Sequence, residues 1–79
     1  MKVIVYSTPT CMYCNALKAW LEENGVAFEE RDISNPAVAF QATQELGYEI
    51  ASVPITKIGD DVIVGFDRAK IKKALKDNA

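Results

Sequence analysis

Two cysteines separated by two residues, Cys11 and Cys14, are the side chains best suited to chemistry in this 79-residue chain. A crosslink at this spacing closes a very small loop, so it constrains the unfolded chain far less than a long-range disulfide would. In a reducing compartment such a pair more often serves catalysis or metal binding than structural crosslinking. We therefore predict a chemical role for this pair.

The two cysteines are expected to differ in reactivity. Cys11 begins a predicted helix, where unsatisfied N–H groups and the helix dipole favour a thiolate and lower the thiol pKa. Cys14 shares an apolar helical stripe with Leu17 and Leu21, so we expect it to be buried. These positions predict that Cys11 attacks a disulfide and that Cys14 resolves the mixed disulfide that results.

A metal site is the main alternative, because a Cys-x-x-Cys pair is half of a common zinc site. The chain has two cysteines and no histidine. A protein-only tetrahedral site would therefore need carboxylate ligands or a dimer that shares two pairs. Two buried, unreactive cysteines are a further alternative, which fits Cys14 better than Cys11. The β-α-β context predicted around the pair favours the redox interpretation, so we predict no metal site.

Composition narrows the classes of partner. Nine basic and 11 acidic residues give a net charge of −2, which offers no basic surface for nucleic acid or anionic lipid. No apolar run approaches the roughly 20 residues of a membrane helix, and the first residues are too short an apolar stretch for a signal peptide. We expect a cytoplasmic monomer with one domain over residues 1–79, since this length suits one core.

Hydrophobic patterns predict seven elements in the order β-α-β-α-β-β-α. Strands are predicted at residues 3–6, around the charged stretch 29–32, at 53–58 and at 62–64. Helices are predicted at residues 12–24, from Pro36 to a stop at Gly47, and after a cap at Asp67. Trp20 and Phe40 are interpreted as packing residues of the core or of the layer near the surface. The pattern predicts an α/β domain whose mixed sheet, parallel at first and then antiparallel, is covered by helices on both faces.

Four separated segments resemble the glutaredoxin pattern over essentially the whole chain. They are Val5-Tyr6-Ser7, Thr10-Cys11-Met12-Tyr13-Cys14, Ser52-Val53-Pro54 and Gly65-Phe66-Asp67. The resemblance implies a thioredoxin fold with strand order 2-1-3-4 and a site where the redox motif meets a cis-proline loop. It implies that Pro54 is the cis-proline, that Val53 pairs with substrate through its backbone, and that Tyr13 lies beside the redox pair.

The same resemblance implies the partners. Gly65 and Asp67 match the glycine and first aspartate of the family's glutathione site, with Phe66 between them, whereas Thr8 replaces a lysine that the family usually carries. Gly-Phe is similar to redoxins that serve ribonucleotide reductase and are recharged by thioredoxin reductase. Disulfide-containing proteins are therefore the implied substrates, and glutathione, as a co-substrate, or thioredoxin reductase is the implied electron source. We expect no permanently bound cofactor.

A function of another class is also compatible with the family resemblance. A glutaredoxin-like protein can hold an iron–sulfur cluster between two subunits through Cys11 and bound glutathione. This hypothesis makes the chain a cluster carrier rather than a disulfide reductase.

Overall fold

The computed structural model describes residues 2–47, 49–50 and 52–78, and in these residues the elements follow the predicted order. The elements are β1 (Val3–Ser7), α1 (Met12–Glu23), β2 (Glu29–Asp32), α2 (Pro36–Leu46), β3 (Ile55–Ile58), β4 (Asp61–Val64) and α3 (Arg68–Asp77). None of the described helices is long and apolar enough to cross a membrane.

The four strands form one mixed sheet with the order β2-β1-β3-β4. β1 runs parallel to β2 and antiparallel to β3, and β3 and β4 form an antiparallel pair. In this register Val5 of β1 lies between Glu30 of β2 and Thr56 of β3. The predicted order 2-1-3-4 is confirmed. The charged stretch itself forms β2, which is compatible with an edge strand whose side chains reach water.

Alternating side chains of β1 supply a separate core on each face of the sheet. Val5 packs with Leu17 of α1 and Ile71 of α3 on one face. Tyr6 packs with Ala42 of α2 on the other face. The predicted arrangement with helices on both faces is therefore confirmed.

The helix ends also follow the predicted signals. The Asn35 side chain accepts a 3.0 Å hydrogen bond from the Ala37 N–H, and Pro36 occupies the first turn of α2. Gly47 ends that helix with a φ of 81°, a left-handed conformation that glycine adopts without steric cost. Asp67 caps α3 by accepting a 3.1 Å bond from the Lys70 N–H.

Besides one-residue differences at the ends of β1, α1 and β4, two details differ from the predictions. β3 begins at Ile55 rather than at residue 53, because the proline at position 54 has no N–H to donate to a strand ladder. Phe40 is 67% exposed and lies outside both cores. A helix turns about 200° over two residues, so Phe40 points away from Ala42, the buried residue of α2.

Candidate active site

Cys11 is the N-cap residue of α1, with extended backbone at φ −87° and ψ 112°. Its sulfur accepts a 3.1 Å hydrogen bond from the backbone N–H of Cys14. The two residues are joined as a disulfide, and their Cα atoms lie 5.2 Å apart, within the usual range for this bond. The spacing therefore permits a disulfide within the first turn of the helix, in the oxidised state of the pair.

Exposure separates the two sulfurs as predicted. Cys14 is fully buried at 0% exposure, whereas Cys11 is partly exposed. The two residues between them face water, with Met12 81% and Tyr13 68% exposed. An incoming disulfide can therefore approach Cys11 across an open, apolar surface, while Cys14 is reached only from within the site.

The electrostatics of the helix start favour an anion on Cys11. The first N–H groups of a helix have no partner within the helix, and here the one at Cys14 points at the Cys11 sulfur. In the reduced protein the same N–H would donate to a thiolate, and the positive end of the helix dipole would favour that anion. The Cys11 N–H in turn donates to the Thr8 carbonyl at 3.3 Å, which closes the preceding turn.

The Val53–Pro54 peptide bond is cis, so the predicted cis-proline is confirmed. Pro54 is buried. Thr8, from the loop before Cys11, and Val53 line one hollow of about 140 Å³ together with Ile33, Ile50 and Ser52. The fold thus brings the loop before the redox pair and the cis-proline loop to the same place.

The segment from Gly65 to Asp67 is joined to the cis-proline and to α3. The Gly65 N–H donates to the Pro54 carbonyl at 2.8 Å, and Gly65 has a φ of 84°. The Phe66 ring packs edge-to-face on Trp20 with ring centroids 6.2 Å apart, and the Arg68 guanidinium lies 5.7 Å from the Phe66 centroid. The Phe66 and Asp67 side chains are therefore already engaged by the protein, the second as the cap of α3.

A polar cluster at the end of β1 was not anticipated from the sequence. The Ser7 hydroxyl, on a residue only 1% exposed, donates to the Glu30 carboxylate at 3.3 Å. The Lys18 ammonium pairs with the same carboxylate oxygen. Lys18 lies one helical turn after Cys14, on the side of α1 that faces the fold. A lysine at that position was the available sign that α1 forms an ion pair with the sheet. Through these contacts with Glu30, α1 is joined to the edge strand β2.

Electrostatic interactions also order the sheet edge at β2. Arg31 binds Glu29 at 3.0 Å and Glu45 of α2 at 3.5 Å. Hydrogen bonding to Arg31 is the main cause that lowers the pKa of Glu29. The pKa of Asp32 is lowered because Ser34 donates to it from its hydroxyl and its backbone N–H. These bonds fix the turn that leads into α2.

No group of three or more cysteine, aspartate or glutamate side chains could hold a metal ion within the described residues. A zinc site built on Cys11 and Cys14 would therefore need ligands from elsewhere. The iron–sulfur alternative requires a second subunit and glutathione, and it stays a prediction.

The family model of glutaredoxin matches residues 3–63, which include the redox pair, the cis-proline and three of the four strands in full. The chain belongs to the glutaredoxin family. The match spans more than half of the chain and covers the two loops that meet at the hollow lined by Thr8 and Val53.

Three curated relatives of this glutaredoxin-family chain differ in length and name. The glutaredoxin-like protein NrdH of Lactococcus lactis is 37% identical over 90% of this chain and 96% of its own. An uncharacterized glutaredoxin-like 8.6 kDa protein in the rubredoxin operon of Clostridium pasteurianum is 29% identical over 91% and 95%. The global transcriptional regulator Spx 1 of Bacillus cereus is 32% identical over 96% of this chain, which spans only 53% of that protein.

Two solved structures share the architecture. The thioredoxin-like protein BC3987 superposes with a TM-score of 0.78 at 30% identity, covering 92% of this chain and 99% of its own. The glutaredoxin-like NrdH-redoxin of Escherichia coli, described as having a thioredoxin-like activity profile, gives 0.76 at 26% identity over 92% and 93%. The chain is therefore a glutaredoxin-like dithiol redoxin with a thioredoxin fold.

Proposed function

We propose that this redoxin is a thiol-disulfide oxidoreductase that reduces protein or mixed disulfides, with Cys11 as the nucleophile and Cys14 as the resolving thiol. The observation that carries the proposal is the contrast between the two sulfurs at one helix start. Cys11 is reachable and receives a backbone N–H, whereas Cys14 is fully buried behind it.

The reaction requires two displacements. The Cys11 thiolate attacks one sulfur of the substrate disulfide, forms a mixed disulfide and expels the other substrate sulfur as a thiolate, which takes up a proton. Cys14 loses its proton and attacks the Cys11 sulfur, so the second substrate sulfur leaves and is protonated. The substrate gains two electrons, and the protein is left with the disulfide between Cys11 and Cys14.

The substrate backbone is proposed to bind along the cis-proline loop. A segment that pairs with the Val53 backbone as an added strand would gain affinity through main-chain hydrogen bonds, without demanding one side chain. Pro54 would support that loop next to the redox pair. Tyr13, exposed on α1, would cover the other side of the bound sulfur.

The electron donor is proposed to be a flavoprotein of the thioredoxin reductase class rather than glutathione alone. Similarity to NrdH proteins over nearly the full length supports this choice. Thr8 supplies no cation for a glutathione carboxylate, and the Asp67 carboxylate already caps α3. Glutathione is therefore proposed as a weak co-substrate that contacts Gly65, Phe66 and Asp67, and ribonucleotide reductase as one protein substrate.

A donor comparison tests the proposal. The oxidised protein is mixed with hydroxyethyl disulfide or insulin, and NADPH oxidation is followed with thioredoxin reductase or with glutathione and glutathione reductase. We expect faster turnover at low protein concentration with thioredoxin reductase, and none with the Cys11→Ser variant. Turnover by Cys11→Ser equal to that of the unmodified protein would contradict the proposed nucleophile. Exclusive use of glutathione would contradict the proposed donor.

A further inference from the structure

Two adjoining hollows lead from the cis-proline loop to α2. The hollow that Thr8 and Val53 share with Ile33 and Ile50 adjoins a second one of about 310 Å³. Ile33 and Ile50 line both hollows, so the two have a common wall. Phe40 lines the second hollow.

Phe40 is unusual among the exposed residues of its helix. Single apolar residues at the surface are common and need no explanation by themselves. Phe40, however, is 67% exposed, and it lines a recess with two partly buried isoleucines, which also line the hollow beside Thr8 and Val53. A large aromatic ring in such a recess can bury additional area when a second apolar group enters.

We propose that the groove formed by Ile33, Phe40 and Ile50, named here the Phe40 groove, binds an apolar side chain of the protein substrate. The side chain would lie a few residues from the cysteine under attack. The inference rests on the proposed function and deepens it, because it names a chemical feature of the substrate. The occupant is an aromatic or large aliphatic residue of an extended peptide segment.

Continuity with the site argues for this occupant. The substrate sulfur must reach Cys11, and the chain on either side of it must cross the neighbouring surface. An extended segment advances about 3.3 Å per residue and directs alternate side chains to the same face. A segment that passes Val53 can therefore place a side chain two to four residues from its cysteine in the Phe40 groove.

Most of the side chains that line the second hollow are apolar. Ile33, Ala39, Phe40 and Ile50 supply carbon surface, and the polar residues on the lining are Thr43 and Glu49. The Thr43 hydroxyl already donates to the Ala39 carbonyl at 3.0 Å. The Glu49 carboxylate would disfavour an acidic residue at the same position in the substrate.

A recess elsewhere in the fold lacks these properties. It has a volume of about 240 Å³ between β4 and α3, and it is lined by two aspartates and two lysines among other residues. Neither Thr8 nor Val53 lines this recess. Its charged side chains make it a poor site for an apolar substrate side chain.

The proposal can be tested by kinetics with peptides that carry one cysteine. That cysteine is joined to thionitrobenzoate by a mixed disulfide, and its reduction releases the coloured thionitrobenzoate anion. One series has leucine or tryptophan at positions two to four on either side of the cysteine, and a matched series has serine. We expect the apolar series to have the lower KM with the unmodified protein. Phe40→Ser should raise that KM about fivefold to tenfold, a moderate loss for one interface side chain, and leave kcat unchanged.

Val64→Ser is the matched control, because Val64 is another exposed apolar residue, at 56% exposure on β4, and lies outside the groove. It should leave the KM of both series unchanged. Equal KM values for the two series, or an apolar preference that survives Phe40→Ser, would overturn the proposal. Hydroxyethyl disulfide has no peptide chain to enter the groove, so its turnover reports on the proposed function separately.

A binding measurement gives a readout that does not depend on turnover. The same apolar peptide with serine in place of its cysteine is titrated into the oxidised protein while NMR signals of the Phe40 ring are followed. We expect saturable shifts of these signals with the apolar peptide. The control peptide, in which serine also replaces the leucine or tryptophan, should give much smaller shifts. Absence of shifts at Phe40 with the apolar peptide would overturn the proposal even if disulfide reduction is intact.

Discussion

The two flanks of the redox pair differ in how far their side chains are already used. On the flank towards α3, Asp67 caps the helix, Phe66 packs on Trp20, and the Gly65 N–H is bonded to the Pro54 carbonyl. On the flank towards α2, the hollows beside Val53 and Phe40 together lead away from the site. One flank is closed by contacts within the protein, and the other is open.

This difference bears on which molecules the site can bind. A small thiol such as glutathione would need groups on the α3 flank that already stabilise the fold, and Thr8 adds no charge to help it. An extended peptide would need backbone pairing and apolar area, which the α2 flank offers. The comparison therefore favours protein disulfides over glutathione as the better ligands of this redoxin.

The largest expected effects come from the cysteines, which both flanks share. Cys11→Ser should abolish all disulfide reduction, because no other thiolate lies at the surface of the site. Cys14→Ser should abolish reduction of insulin and retain reduction of small mixed disulfides, which need only one thiol. Assays of both variants with both substrates check this, and equal loss of both activities in two folded variants would contradict the division of roles.

A lysine at position 8 should make the α3 flank competitive for glutathione. One charge-assisted hydrogen bond to its carboxylate is worth about 1.5–3 kcal/mol, so Thr8→Lys should lower the glutathione KM roughly tenfold to a hundredfold. Turnover with thioredoxin reductase should change little.

Thr10→Lys is the matched control for Thr8→Lys, because it adds the same charge at an exposed position in the same loop. It should have a clearly smaller effect on the glutathione KM. If Thr8→Lys has no effect, or if the unmodified protein already saturates at micromolar glutathione, the argument from the missing cation is wrong.

Two substitutions at Asp67 distinguish its role as the cap of α3 from its proposed role in binding glutathione. Asp67→Ala removes the cap and should lower the free energy of unfolding by about 1 kcal/mol, whereas Asp67→Asn keeps a good capping side chain. Both variants should weaken glutathione-driven turnover, since both lose the carboxylate. Denaturant unfolding and glutathione titrations measure the two effects, and unchanged turnover in Asp67→Asn would remove Asp67 from the glutathione site.

The smallest expected effect concerns the turn before α2. The lowered pKa of Asp32 means that its ionised form binds Ser34 in the folded state, so this stabilisation is present above the unfolded pKa and is lost as pH falls through the lower folded value. Thermal unfolding of Asp32→Asn and the unmodified protein should therefore differ near neutral pH and converge in acid. A difference that is constant with pH would show that the ionised carboxylate contributes nothing.

Local signals predicted most of the fold and the redox pair. The apolar stripe placed Cys14 inside, and the caps at Asn35 and Asp67 were readable because each acts on its own helix. The Phe40 groove was not predictable in this way. It is formed by residues from just after β2, from α2 and from the loop after α2, which only the tertiary fold brings together. The Ser7–Glu30 contact likewise depends on strand register.

The sharpest measurement of the central claim is covalent trapping. Cys14→Ser is incubated with an excess of a disulfide-bearing peptide, and the product is analysed by intact and tryptic mass spectrometry. The proposed mechanism predicts one peptide bound per protein, attached at Cys11, and its release when a dithiol reductant is added. Absence of a stable mixed disulfide at Cys11 in the folded variant would contradict the assignment of Cys11 as nucleophile and Cys14 as resolving thiol.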